Sequence, residues 1–135
     1  MILIQDTLIA IHSMLRWLIL SLAVFGAARS FVSMLSVSAR FTRLDLGVSR
    51  AYPVLLDVQL LVGILLVLAA LTLQAAVPWI HPIVMVPAVV IAHLSRRFAA
   101  RPDRKRHQAQ LAIYLSSLAL VAAGLAVIGQ LALPR

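Results

Sequence analysis

The chain has 135 residues, of which 63% are hydrophobic, and it contains no cysteine. A soluble domain of this length cannot bury so much apolar surface, so the composition argues against a soluble enzyme and favours a membrane protein. The formal net charge is +8, but the basic residues lie between apolar runs and are not interleaved with aromatics. They are therefore expected to set membrane topology rather than to bind nucleic acid.

Four apolar runs predict an all-α fold, a four-helix transmembrane bundle that forms a single domain over residues 1–135. We expect its helices at roughly residues 7–30, 51–76, 81–98 and 107–131, with the first able to continue along the membrane surface to about Ser38. The fourth predicted helix carries small residues on one face, which predicts that this face packs inside the bundle. These residues are Ser116, Ala119, Ala123 and Ala126.

The arginines predict the orientation of the bundle. They concentrate in residues 29–50 and 96–106, the two connections that must share one side of a four-span protein. Cytoplasmic connections carry an excess of arginine and lysine, so both connections should be cytoplasmic and both termini should lie on the outer side. The expected location is a bacterial inner (cytoplasmic) membrane, which the chain crosses several times.

Two of the four histidines, His12 and His81, fall near the same, outer membrane face. Arg16 and the small residue Ala23 return to the helical face of His12, with Gly26 close by. Such a face offers an imidazole to haem iron, a guanidinium to the propionates and space for a flat ring. A structural His–Arg–Ser cluster at a helix crossing, and a plain interfacial role for His81, are the alternatives that these residues leave open.

The other two histidines lie toward the opposite side. His93 follows His81 by 12 residues, roughly 18 Å along a helix, and Asp57 is placed to approach it. Such a pair can be a buried ion pair, a proton-uptake site or a quinone hydrogen-bonding site, with the ion pair the first interpretation. His107 follows a run of basic residues and is expected to be solvated.

Three short motifs resemble those of a family of small four-helix bacterial membrane proteins commonly labelled cytochrome b-like. They are His12-Ser13-Met14-Leu15-Arg16-Trp17, Gln59-Leu60-Leu61-Val62-Gly63 and His81-Pro82-Ile83-Val84-Met85, followed by His93 and Arg96-Arg97. The resemblance extends over most of the chain and implies a haem pair at His12 and His81. In that family a histidine commonly stands where this chain has Asp57, and an acidic residue often stands where it has Ile80. These departures leave a second haem doubtful.

The sequence therefore predicts a membrane protein that holds one haem b near the outer face and carries electrons. His12 and His81 would ligate the haem iron, and Arg16 would be the propionate partner. It would act as a subunit or partner of a respiratory or photosynthetic complex, more as an electron-transfer or accessory subunit than as a stand-alone enzyme. The expected partners are other membrane subunits and the lipid bilayer, with quinone as a candidate. The alternative is an accessory subunit without a cofactor, or one in which a histidine holds a chlorophyll-type pigment.

Overall fold

The computed structural model describes residues 2–36, 40–127 and 129, and for Ile2 the backbone alone. Within these residues the chain is helical and has no strands. The helices are α1 (Ile2–Leu35), α2 (Arg43–Thr72), α3 (Ile80–His93) and α4 (Asp103–Val127), and a 3₁₀ segment (Leu94–Phe98) continues α3. The predicted all-α architecture with four helices is confirmed.

The helices form an antiparallel bundle in which α1 and α3 each pack against α2 and α4. Helices α1 and α3 therefore face each other across the bundle, as do α2 and α4. The bundle has two distinct ends. The terminal end contains the start of α1 and the connection at residues 73–79, whereas the basic end contains residues 40–42 and the connection at residues 99–102.

Three helices, α1, α2 and α4, are long and apolar enough to cross a membrane. Helix α3 has 14 residues, which is roughly 21 Å of helix and is shorter than a hydrocarbon layer of about 30 Å. The 3₁₀ segment extends α3 to a total of roughly 30 Å, because a 3₁₀-helix rises about 2 Å per residue.

Several predicted helix boundaries are wrong. Helix α2 begins at Arg43 rather than at residue 51, because Thr42 and Asp45 form a capping box in which each side chain accepts the other's backbone N–H. It ends at Thr72 instead of residue 76, α1 spans more than the predicted 7–30, and α4 begins at Asp103 instead of residue 107. The predicted continuation to Ser38 and the predicted end at residue 131 lie outside the described residues.

The predicted packing face of α4 is also wrong. The four small residues of that face, Ser116, Ala119, Ala123 and Ala126, are exposed, and the buried residues beside them are Ser117, Val121 and Gly124. The helix is rotated by one residue because the buried Tyr114 fixes its phase. The Tyr114 ring lies edge-on to that of Tyr52, with ring centroids 5.2 Å apart, and the Tyr52 hydroxyl donates to Ser117 Oγ at 2.7 Å.

Toward the basic end, a set of polar side chains is joined by hydrogen bonds. Asp45 accepts bonds from Arg29 Nε at 2.6 Å, from Arg29 Nη2 at 3.2 Å and from the Thr42 hydroxyl at 2.6 Å. We call Arg29, Thr42 and Asp45 the Asp45 cluster. Its bonds connect the second half of α1 to the first turn of α2, and they fix how the two helices meet.

His107 was predicted to be solvated, and this prediction is wrong. Its side chain is fully buried, and its ring lies 5.0 Å from that of Phe41. Its Nε2 donates to the Arg40 carbonyl oxygen at 3.2 Å. The imidazole thus ties the segment before α2 to the first turns of α4.

Candidate functional site: a histidine pair across the bundle

The structure brings His12 and His81 together at the terminal end. His12 lies on α1 and His81 lies in the first turn of α3, on the two helices that face each other across the bundle. Their ring centroids are 6.3 Å apart, and the ring planes are inclined at 72°. Both side chains are half-buried. The chain therefore brings two imidazole rings close together, and no acidic side chain of the described residues bonds to either.

A hydrogen bond to α4 fixes the protonation of His81. Its Nδ1 lies 3.2 Å from the Gly124 carbonyl oxygen. A carbonyl oxygen only accepts, so Nδ1 carries the proton, and in the neutral ring Nε2 keeps its lone pair. Metal-binding histidines commonly donate their second ring nitrogen to a backbone carbonyl in this way, which orients the ring and raises its basicity.

His12 contains a polar atom without a partner. Its Nδ1 is buried and makes no hydrogen bond to any described residue, and the same is true of Gln59 Oε1. The Gln59 amide nitrogen donates to the His12 carbonyl oxygen at 3.0 Å, which fixes α2 against α1 at this level. Leaving a buried polar atom unsatisfied destabilises a protein by about 1–3 kcal/mol. The site therefore contains two buried hydrogen-bonding atoms, His12 Nδ1 and Gln59 Oε1, that the described residues leave without a partner.

The spacing of the two rings fits a single metal ion. An imidazole nitrogen binds a transition metal at about 2 Å, so two rings on opposite sides of one ion have centroids roughly 6 Å apart. The described residues contain no group of three or more histidine, cysteine, aspartate or glutamate side chains able to hold a metal. A metal at this pair would therefore depend on two imidazoles and on further ligands that a cofactor brings.

Two glycines border the pair. A Cβ atom at Gly63 would lie 3.6 Å from His12 Cε1, and one at Gly124 would lie 3.4 Å from His81 Nδ1. The Gly124 position is also covered by the Met85 methyl group, which a Cβ would displace. A Cβ would make ordinary contacts with both imidazole rings, so only Gly124 is required, and it leaves room for the Met85 side chain between α3 and α4.

Arg16 lies one turn beyond His12 on α1. Its Nη2 donates to Ser13 Oγ at 3.0 Å, and its guanidinium carbon lies 5.5 Å from the centroid of the Trp17 ring. The small residues further along this face do not provide an open slot for a flat ring, so that expectation is wrong. Tyr114 fills the space beside Gly26, where a Cβ would lie 2.6 Å from Tyr114 Cζ.

The structure also brings Asp57 and His93 together, in a different place. His93 Nε2 and Asp57 Oδ1 are 2.8 Å apart, and the side chains are 35% and 49% exposed. The pair therefore lies on the outer surface of the bundle between α2 and α3, not in its interior. The two histidine sites do not share a face of α3.

Sequence reasoning missed the residues that support the pair. Gln59 and Gly63 stand four residues apart on α2, but nothing in the sequence indicated that Gln59 bonds to His12. The role of Gly124 depends on the rotation of α4, which the small-residue pattern predicted wrongly. No protein-family model, no curated protein and no solved structure matches this chain. The resemblance to cytochrome b-like proteins stays a prediction.

Proposed function

We propose that this chain is a membrane b-type haem protein that transfers single electrons within a respiratory or photosynthetic complex. His12 and His81 would be the residues that ligate the haem iron, and Arg16 would bind a propionate. The haem would supply a one-electron redox centre, while the chain would provide the ligands, the hydrogen bond that orients His81 and an apolar surrounding. The chain has no assigned substrate chemistry of its own.

One observation carries this proposal: two imidazoles face each other across the bundle at 6.3 Å, one with an unsatisfied ring nitrogen and one oriented by a backbone carbonyl. The fully buried His107 also has an Nδ1 without a partner among the described residues, so the unsatisfied nitrogen of His12 supports the proposal only together with the nearby ring of His81. Here the His12 nitrogen has no partner among the described residues, and a metal-bound cofactor would supply one.

The proposed topology has four spans in a bacterial inner membrane, with α3 and its 3₁₀ segment forming the third. The basic end would face the cytoplasm because it carries the arginine-rich connections. The terminal end, with the histidine pair, the start of α1 and the end of α4, would then lie on the outer side, where the haem would exchange electrons with a partner or with quinol.

A visible spectrum tests the haem directly. The detergent-purified protein, expressed with ample haem, should give a reduced-minus-oxidised b-type spectrum and about one haem per chain by pyridine haemochrome. His12→Ala and His81→Ala should each abolish or strongly reduce this signal. His93→Ala is the matched control, because it removes an imidazole from the same bundle but from the outer surface, and it should keep the full haem content.

Two results would overturn this proposal. The first is a purified protein without Soret absorbance under these conditions. The second is a haem content that His12→Ala and His81→Ala leave unchanged. An absorbance spectrum of a chlorophyll-type pigment that is lost with His12→Ala would instead assign the site to a magnesium pigment, since magnesium also accepts an imidazole.

A second candidate, an accessory subunit of a larger membrane complex, is favoured by the exposed Asp57–His93 pair. Trp79 lies just before α3, and tryptophan is enriched at membrane interfaces. His93 follows it by 14 residues, roughly 21 Å along the helix and thus inside a hydrocarbon layer of about 30 Å. Ionisable side chains that face lipid at this depth are costly and are normally covered by protein. A neighbouring subunit over α2 and α3 would cover them.

Native gel electrophoresis of mildly solubilised membranes tests this second candidate. The wild-type chain should migrate in an assembly much larger than its own 14.7 kDa. Asp57→Asn should weaken that assembly, because it removes the charge that faces the neighbour. The matched control is Asp6→Asn at the exposed start of α1, which should leave migration unchanged. Migration as a single chain, or equal effects of the two variants, would contradict the candidate.

A further inference from the structure

A second polar site lies at the basic end, well away from the histidine pair. It is a cavity of about 400 Å³ between the first half of α2, the 3₁₀ segment and the first turns of α4. Three arginines line it: Arg50 from α2, Arg96 from the 3₁₀ segment and Arg106 from α4. No acidic side chain is among its lining residues, all of which the structure describes. The cavity is therefore a partly open cleft with a concentrated positive charge.

One of these arginines is held in place by its neighbours. The Arg106 guanidinium carbon lies 3.7 Å from the centroid of the Phe41 ring, and its Nη1 lies 3.9 Å from Asp103 Oδ1. At that distance Asp103 offsets the charge of Arg106 only in part, whereas the other two arginines are exposed and have no acidic partner among the described residues. Arginine guanidinium groups bind phosphate oxygens through paired hydrogen bonds.

Buried polar groups extend the site inward. Ser49 and Ser95 line the cavity and are 7% and 9% exposed. Gln110 also lines it, and its Oε1 is buried without a hydrogen-bond partner among the described residues. This oxygen accepts hydrogen bonds, so any partner must be a hydrogen-bond donor. A phosphate group in the cavity would supply an anion for the arginines.

The remaining wall is apolar and includes Pro53 and Val54 of α2. Basic pockets between membrane helices on the cytoplasmic side bind the headgroups of anionic lipids. A free phosphate ion would use the arginines but not the apolar wall. We propose that this cavity binds the headgroup of one anionic phospholipid, with the phosphate on the arginines and the acyl chains along α2.

Lipid binding to the delipidated, detergent-purified full chain tests the proposal by native mass spectrometry. The probes are phosphatidylglycerol and, as the zwitterionic comparison, phosphatidylcholine with the same acyl chains. The wild-type chain should retain one phosphatidylglycerol and bind it about tenfold more tightly than phosphatidylcholine. The double variant Arg50→Gln/Arg96→Gln should lose about tenfold or more in affinity, since each arginine near a membrane surface contributes measurably to anionic lipid binding.

The matched control is Arg97→Gln/Arg101→Gln, which removes the same charge from exposed arginines of the same connection that do not line the cavity. It should change phosphatidylglycerol affinity by less than about twofold. Equal losses in the two double variants would overturn the proposal, because binding would then follow net charge alone. Equal affinity for the two lipids would overturn it as well.

Competition with inorganic phosphate separates the two sources of a phosphate group. Millimolar phosphate should leave the bound phosphatidylglycerol in place, because inorganic phosphate has no acyl chain to pack against the apolar wall. Displacement of the lipid at that concentration would assign the cavity to a free phosphate and would overturn the lipid proposal. Thermal unfolding of each variant accompanies these measurements, and the exposed positions of all four substituted arginines predict wild-type melting.

Discussion

The Asp45 cluster and the His12–His81 pair are two polar groups within one bundle, and they differ in how their hydrogen bonds are completed. The carboxylate of Asp45 accepts bonds from Arg29, from the Thr42 hydroxyl and from the Thr42 backbone. At the histidine pair, His12 Nδ1 and the neighbouring Gln59 Oε1 have no partner among the described residues.

This difference indicates that the two groups of polar side chains have different roles, one in folding and one in ligand binding. The bonds of the Asp45 cluster are complete within the chain, so the cluster contributes to folding by fixing α1 against α2. At the histidine pair, two hydrogen-bonding atoms have no partner among the described residues. They do not stabilise the cofactor-free chain. Substitutions in the first group should therefore reduce stability, whereas substitutions in the second should affect ligand binding and leave stability nearly unchanged.

Removing Asp45 should have the largest effect on stability. Asp45→Ala leaves the guanidinium of Arg29 without its carboxylate and removes the capping box of α2, so we expect a loss of about 3 kcal/mol in the free energy of unfolding. The measurement is detergent-solubilised unfolding followed by circular dichroism. The matched control is Asp103→Ala, whose side chain is 44% exposed and lies 3.9 Å from Arg106, and it should lose less than about 1 kcal/mol. Similar losses in both variants would contradict a special role for the cluster.

Glycine-to-alanine substitutions at Gly26 and Gly63 compare how tightly the chain packs beside Tyr114 and beside His12. A Cβ at Gly26 would lie 2.6 Å from the ring of the buried Tyr114, whereas one at Gly63 would make an ordinary contact with His12 at 3.6 Å. We expect Gly26→Ala to destabilise the protein by about 1–3 kcal/mol. Gly63→Ala should be neutral or stabilising, because alanine favours helix more than glycine does. Thermal melting of the two variants in one detergent measures the difference, and a tolerated Gly26→Ala would show that Tyr114 is free to move.

The phase of α4 can be tested at two adjacent serines. Ser117 is fully buried, accepts from the Tyr52 hydroxyl and donates to the Ala88 carbonyl at 3.3 Å, whereas Ser116 is exposed. Ser117→Ala leaves the Tyr52 hydroxyl unsatisfied and should destabilise by about 1–2 kcal/mol. Ser116→Ala should change stability by less than about 0.5 kcal/mol. If Ser116→Ala lowers the melting temperature more than Ser117→Ala does, α4 packs through the face predicted from the small residues.

The sequence predicted the features that depend on long apolar patterns, but it did not predict the features that depend on individual side-chain contacts. Apolar runs were sufficient for four helices and for placing His12 and His81 at one level of the bundle. Thr42 and Asp45, three residues apart, indicate the early start of α2, whereas the apolar run begins later and predicts a later start. The burial of His107 depends on its contact with Phe41, far away in sequence, and the rotation of α4 depends on Tyr114 meeting Gly26. Such contacts between distant segments have no local signal.

The smallest expected change in stability belongs to the histidine pair itself. In cofactor-free protein, His12→Leu removes a buried nitrogen that has no partner among the described residues and places an apolar side chain of similar volume there. We therefore expect the free energy of unfolding to stay within about 1 kcal/mol of wild type or to rise. The control is His107→Leu. This imidazole is fully buried and also has an Nδ1 without a partner among the described residues, but its Nε2 bonds to the Arg40 carbonyl, so the loss of that bond should lower the free energy of unfolding by about 1–2 kcal/mol. If His12→Leu destabilises as much as His107→Leu, His12 serves the fold, and the unused binding capacity on which the haem proposal rests does not exist.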